Sequence, residues 1–239
     1  MANTFFKFKE FTVHQDNAAM KVCTDSCLFG AWVADQFKGE ELKVLDIGTG
    51  TGLLSLMLAQ KIPGSFDAIE IDSSAFLQAK KNVSQSPFSN CINVIHGDIK
   101  DFTSESNYQL IISNTPFFSD HLQSPHDGVN AARHDTKLTL QELIAQAEKL
   151  MAVNGMIALL LPMNQDKNLE KIANENGLFF YRKIFVKQTE NHLPFRVMAI
   201  LSKAGEICET EEIVIKISGN YSPEFQHLLE DYYLRMHIS

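Results

Sequence analysis

The sequence predicts a doubly wound α/β fold, with a mostly parallel seven-stranded sheet and helices on both faces. Three observations carry that reading. From Lys43 onward short apolar runs alternate with helical stretches. A glycine-rich turn follows the first of those runs. Near the end of the core two strand-like runs are joined by a connection too short for a helix, which predicts an antiparallel hairpin at the sheet edge.

The elements follow in order. Residues 6–13 alternate aromatic and polar side chains as an extended ribbon, and residues 26–36 read as a helix capped by Thr24 or Asp25. The first core strand is 43–47, followed by a helix over 53–61 that Pro63-Gly64 stops. Residues 66–71 form the second strand, and Ser73 caps a helix running to about Gln85. Strands three and four are 92–96 and 109–113. An amphipathic helix over 138–151 is ended by Asn154-Gly155, and the fully apolar run 156–161 is the fifth strand. A helix over 165–176 ends at Gly177, and the hairpin takes 179–186 and 195–201. A strand, 213–217, and a helix, 223–234, close the chain. With no repeat, low-complexity tract or flexible linker, the 239 residues read as one domain: a leader (1–38), a core (39–203) and a C-terminal strand and helix (204–239).

Composition narrows the function. At 45% hydrophobic and 21% charged residues the chain is globular, and no apolar run approaches the roughly 18 residues of a membrane span. The N-terminus lacks the pattern of a signal peptide, so the expected location is the cytoplasm. Cys23, Cys27, Cys91 and Cys208 do not make the paired spacing of a zinc site, and no metal is expected. A net charge of −8 argues against nonspecific coating of nucleic acid. Residues 179–203 nevertheless carry five bases (Arg182, Lys183, Lys187, Arg196, Lys203) against Glu190 alone, while 204–239 carries seven acids against Lys216 and Arg235. That local excess makes the hairpin a candidate polyanion-binding face, with a solvated edge strand as the alternative.

Three motifs carry chemistry. Asp46-Ile-Gly48-Thr-Gly50-Thr-Gly52 lies where the first core strand turns into its helix, where glycines let a ligand approach the backbone. A dinucleotide site needs G-x-G-x-x-G. The spacing here is an acid two residues before G-x-G-x-G, which resembles the cofactor loop of class I S-adenosylmethionine methyltransferases. Glu70, at the end of the second strand, suits the two hydroxyls of a ribose, a demand shared with NAD sites. Asp98 matches the position where such methyltransferases hold the adenine amino group. The third motif, Asn114-Thr115-Pro116-Phe117-Phe118 after the fourth strand, resembles the Asn-Pro-Pro-aromatic motif of methyltransferases acting on planar nitrogens. There the Asn side-chain oxygen and the next carbonyl accept from the target amine, and the aromatic stacks on the base. Thr115 replaces the first proline and still supplies a carbonyl.

A wider resemblance spans nearly the whole chain. Phe8 to Asp25 with Leu28-Phe-Gly30-Ala31-Trp32, then Gln85-Ser-Pro87, Ala132-Arg133 and Leu193-Pro194-x-Arg196-Val197, are similar to the bacterial tRNA N6-adenine methyltransferases that modify adenosine 37 of valine tRNA. Cys23 stands where that family usually has Gly. The resemblance implies a Rossmann-like methyltransferase, S-adenosylmethionine as cofactor with S-adenosylhomocysteine as product, and tRNA as partner; a monomer is expected, though the sequence itself does not give the oligomeric state. It implies that the leader covers the cofactor, with Lys21 and the helix start at Thr24-Asp25 placed to neutralise its carboxylate. Asn114, Thr115, Pro116 and Phe117 then form the catalytic loop. Phe118, Arg133, Arg182, Lys183 and Arg196 are candidate RNA contacts. Other acceptors remain open on the residues alone: guanine N2 of rRNA, adenine N6 of DNA or a protein glutamine, or a cofactor-binding module without catalysis.

Overall fold

A computed structural model of the chain describes residues 4–16, 21–114, 138–205 and 210–235. The first core strand, β3 (Leu42–Ile47), pairs in parallel with β4 (Gly64–Glu70) on one side and β6 (Tyr108–Ser113) on the other. Outside these lie β5 (Ile92–His96) against β4 and β7 (Met151–Pro162) against β6, also parallel. Strand order therefore reverses between β3 and β6, where an open α/β sheet leaves a crevice at the carboxyl ends of its strands.

The hairpin forms as β8 (Phe179–Thr189) and β9 (Arg196–Ser202), and β9 inserts antiparallel between β7 and β8. These seven strands are the core read from sequence. The hairpin is not at the edge. The following strand, β10 (Thr210–Ile217), runs parallel to β8 and covers it, and β11 (Asn220–Tyr221) pairs antiparallel with β10. The sheet order is β11-β10-β8-β9-β7-β6-β3-β4-β5. The leader makes a separate pair, β1 (Phe5–Lys7) with β2 (Thr12–His14), a tight hairpin where one extended ribbon was expected. Phe8 bridges to Tyr233, and the Lys9 amide donates to the Tyr232 carbonyl, so leader and C-terminal segment meet.

Side-chain alternation divides the core. Val44, Leu110, Ile112, Ala158 and Leu160 face α1 (Thr24–Gln36), α2 (Leu53–Ala59) and α6 (Pro223–Leu229). Leu45, Ile47, Ile111, Ile157 and Leu159 face α4 (Leu140–Leu150) and α5 (Asp166–Glu175). The remaining helix, α3 (Ser73–Ser84), is capped by Asp72 and not by Ser73: its Oδ1 accepts from the Ser74 and Ala75 amides.

Gly155 does not stop α4. The strand begins directly at Met151, beside an irregularity in the β6–β7 register, and a Cβ at Gly155 would stand 2.7 Å from the Tyr108 carbonyl oxygen. That glycine serves close approach of two strands. Among the described residues no helix is long and apolar enough to cross a membrane.

Candidate active site at the switch point

The turn after β3 is built by residues with left-handed backbone: Gly48, Gly50 and Gly52 have φ of 70°, 59° and 81°. L side chains rarely adopt that region, which explains the glycine at alternate positions. Asp46, 1% exposed, closes the turn from below, its Oδ2 accepting from Thr49 Oγ1 at 2.6 Å and Ser55 Oγ at 2.7 Å. Its Oδ1 is buried and has no partner. Burial pushes this carboxyl up to about 6 against the lowering effect of the Thr49 and Ser55 hydrogen bonds, and the charge of Glu70 pushes the same way as burial. A buried carboxylate oxygen without a partner beneath the glycine turn is an acceptor whose burial cost a donor would offset.

Glu70 joins the two neighbouring turns. Its Oε2 accepts the Gly50 amide and its Oε1 the Asp72 amide, both at 2.9 Å. Each oxygen keeps a second lone pair, so the carboxylate is oriented before any hydroxyl arrives. Asp98 lies after β5 in its own turn, accepting the Lys100 amide at 2.9 Å, with the Lys100 ammonium 3.9 Å from Oδ2.

Across the crevice Asn114 follows directly on β6. Ser113 is buried and its hydroxyl donates to the Ile47 carbonyl at 2.9 Å, tying the end of β6 to the end of β3. Asn114 Nδ2 donates to Ser26 Oγ in the first turn of α1 at 2.8 Å. Thr115, Pro116, Phe117, Phe118 and Arg133 lie outside the described residues.

The leader departs from expectation. Lys21 and Thr24 are exposed, and α1 starts at Thr24 with Cys23 as its cap residue. Asp25 does not cap the helix; it is buried and its Oδ2 accepts from Arg196 Nε at 2.7 Å. Burial works to raise the Asp25 carboxyl, yet hydrogen bonds from the Cys23 thiol and Arg196, the Arg196 charge and the Ser26 amide hold it below the ordinary carboxylate value. Arg196, read as an RNA contact, is spent on Asp25, read as a cofactor contact.

The same holds along the hairpin. Arg182 pairs with Glu211 at 2.7 Å, Lys187 with Glu212 at 2.8 Å, Lys183 with Asp166 at 2.5 Å, and Lys203 with Glu148 at 2.6 Å. All five bases counted in 179–203 have a carboxylate partner from outside that segment. The local excess of positive charge in the sequence is cancelled by folding.

Three groups that shape the candidate site escaped the sequence. Ser26 holds Asn114, and nothing in its neighbourhood signals it. Asn82, fully buried on α3, donates to the His14 and Thr51 carbonyls at 2.9 Å and accepts the His14 amide at 3.0 Å, clamping the leader to the glycine turn. Its signal is a polar residue on the apolar stripe Ala75-Ala79-Val83. The Gln15 side-chain oxygen accepts the Val22 amide at 2.8 Å, holding two points of the leader together. Among the described residues no cluster of three or more His, Cys, Asp or Glu side chains could hold a metal.

A glycine turn and carboxylates at the carboxyl ends of two adjacent parallel strands, on a core ending in an inserted antiparallel hairpin, define a methyltransferase. The family model of the methyltransferase small domain matches residues 28–179. Solved structures agree on the fold: a ribosomal protein methylase from Lactobacillus delbrueckii subsp. bulgaricus (TM-score 0.59, 15% identity, 81% of this chain and 84% of that one). A glycopeptide N-methyltransferase complexed with S-adenosyl-L-methionine also matches (TM-score 0.57, 10% identity, 75% of this chain and 95% of that one). The tRNA1(Val) (adenine(37)-N6)-methyltransferase of Parabacteroides distasonis is 41% identical over 99% of this chain and 100% of its own length, and that of Dyadobacter fermentans 40% over 98% of each. The chain belongs to this tRNA1(Val) (adenine(37)-N6)-methyltransferase family.

Proposed function

We propose that this protein transfers a methyl group from S-adenosylmethionine to N6 of adenosine 37 in valine tRNA, in the cytoplasm. The observation that carries the reading is the placement of Asn114 across the switch point from Asp46, with the amide held by Ser26 and the strand end held by Ser113. The unpartnered Oδ1 of Asp46 fits the cofactor's ammonium group, and the open space at the Gly50 Cβ position, with nothing within 4 Å, fits its close approach. Glu70 would hold the ribose hydroxyls, Asp98 the adenine amino group, and Gly48, Gly52, Lys21 and the start of α1 at Thr24 the carboxylate. When bound, the cofactor supplies a methyl group already activated on a sulfonium centre.

The remaining chemistry is positioning. Adenine N6 carries two protons, and its lone pair is delocalised into the ring. The Asn114 oxygen and the Thr115 carbonyl would accept hydrogen bonds from the two N–H groups, so nitrogen density is directed at the methyl group as the centre becomes tetrahedral, and the acidified N6 centre then loses one proton to water. Phe117 would stack on the base once it is splayed from the loop, with Phe118 beside it, and Pro116 would stiffen the turn. Arg133 is the remaining candidate for a flanking phosphate.

Labelled cofactor offered to separated tRNA, rRNA, DNA and protein should mark tRNA, and nucleoside mass spectrometry should place N6-methyladenosine at position 37 of valine tRNA. Label in another fraction overturns the acceptor. Asn114→Ala should lower kcat by roughly 100-fold, the scale of losing one preorganised group in a transition state, with cofactor affinity unchanged. Full turnover in that variant overturns the role of Asn114.

A further inference from the structure

The glycine turn and the leader each contain a place that local sequence leaves loose. Thr51 stands between Gly50 and Gly52, at φ 59° and 81°, and glycine on both sides lets a peptide group rotate at little steric cost. The leader's hairpin has two strands of three residues each, too small to be stable by itself, so its place depends on what it docks against. One buried side chain on α3 holds both.

Asn82 Oδ1 accepts the His14 amide at 3.0 Å, and Nδ2 donates to the His14 and Thr51 carbonyls, both at 2.9 Å. The carboxamide thus pairs with both backbone groups of His14, as a neighbouring strand would, and gives its remaining N–H to the turn. The Gly52 amide, at the other end of the Thr51 peptide group, donates to the Thr49 carbonyl at 2.9 Å, so that peptide is held from both ends. On the leader side, Gln15 follows His14 and accepts the Val22 amide, two residues before α1 begins. Docking at His14 is therefore carried to the helix whose Ser26 meets Asn114.

The two arms are not independent. A carboxamide is planar, so the directions of its two N–H bonds are fixed relative to each other and to its oxygen. Once the oxygen and one N–H engage His14, the second N–H points to a single place, and the Thr51 carbonyl stands there. The docked leader favours this shape of the turn, and the turn in this shape favours the docked leader. Asn82 is fully buried, so losing either partner leaves it with an unpaired polar atom away from water.

We propose that Asn82 is a positioning residue that couples the leader to the glycine turn: S-adenosylmethionine binds more tightly when the leader is docked and, by the same free energy, its binding docks the leader. The inference rests on the reading of the glycine turn as the cofactor loop. It assigns to a side chain that faces away from the cofactor a part in the cofactor's affinity.

The probe is S-adenosylhomocysteine, which binds without turnover. By calorimetry on folded protein, Asn82→Ala should bind it about tenfold more weakly, the worth of about one ordinary hydrogen bond. Val13 is fully buried on β2 next to His14, so Val13→Ala loosens the leader and leaves the turn's own residues intact. It should weaken binding about threefold in the parent and have almost no effect in Asn82→Ala, the non-additivity expected when two residues act along one path. Leu169→Ala, a cavity in the core beneath α5, should destabilise the fold at least as much and keep affinity within about twofold. A merely structural Asn82 would behave as Leu169 does. Hydrogen exchange adds a readout that needs no variant: saturating S-adenosylhomocysteine should slow exchange of the amides of residues 12–15 in the parent, and not in Asn82→Ala. Parent affinity in Asn82→Ala, the same effect of Val13→Ala in both backgrounds, or leader amides that ignore the ligand in the parent overturns the proposal. Asp46→Ala, run alongside, separates the two levels. If it keeps full affinity, the glycine turn is not the cofactor loop and both readings fail. If it loses affinity while Asn82→Ala does not, the cofactor loop stands and the coupling fails.

Discussion

The crevice between β3 and β6 and the face made by β8, β9 and β10 are both rich in polar side chains, and they use them in opposite ways. At the crevice, groups are held and left open: Asp46 has two donors on one oxygen and none on the other, and Glu70 is oriented through two backbone amides. On the hairpin face, each of the five bases is matched by an acid. Open, preorganised polarity marks a place for a ligand, because burial without a partner costs stability that only binding recovers. Matched polarity marks structure. A count of like charges along a segment cannot distinguish the two.

The largest expected effect lies at the open end of this comparison. Asp46→Ala should weaken S-adenosylmethionine binding on the order of 100-fold, in the range of a lost hydrogen bond to a charged group, measured by calorimetry on folded protein. Affinity within about twofold of the parent would remove Asp46 from the site. The same carboxyl makes a pH prediction. Its value is raised from the ordinary 3.8 to about 6, so between those values the folded protein binds a proton that the unfolded chain lacks. Unliganded stability should therefore fall as pH rises through that window, and cofactor affinity, which uses the anion, should rise. Thermal melts and titrations of Asp46→Asn should show both slopes flattened.

Asn82 tests whether the open site depends on closed polarity behind it. Asn82→Ala leaves the buried Thr51 carbonyl and the part-buried His14 carbonyl without their donor and should cost about 2 kcal/mol in denaturant unfolding, the scale of one unsatisfied buried group. A loss under 1 kcal/mol would mean that the leader and glycine turn hold each other by packing alone.

On the matched side, Lys183 and Asp166 are nearly buried, with side-chain exposures of 11% and 14%. Lys183→Met should destabilise by about 2 kcal/mol, between the figures for exposed and buried pairs, because Asp166 is left without its counter-charge. Arg182 and Glu211 are about half exposed. Arg182→Ala should change stability by less than about 1 kcal/mol and leave the salt dependence of tRNA binding unaltered. A slope reduced by about one unit would show that Arg182 exchanges Glu211 for a phosphate, and would break the contrast drawn between the two regions.

The sequence alone determined what depends on neighbours in the chain. The strand-turn-helix rhythm, the glycines of the turn, Asp46 below them and Glu70 at the next strand end are all readable, because a parallel sheet places successive strand ends side by side whatever the rest of the chain does. Asn114 was readable for the same reason, as the residue after the fourth strand. Tertiary structure alone decided where the partners come from. Asp25 and Arg196 are 171 positions apart and Asn114 and Ser26 are 88 apart, and nothing local to any of them signals the pairing. The hairpin lost its edge, and its charge, when β10 laid Glu211 and Glu212 beside Arg182 and Lys187. The physical reason is common to all three: an electrostatic or hydrogen-bond partner acts over a few ångströms of space, and only the finished fold sets which distant residues share that space.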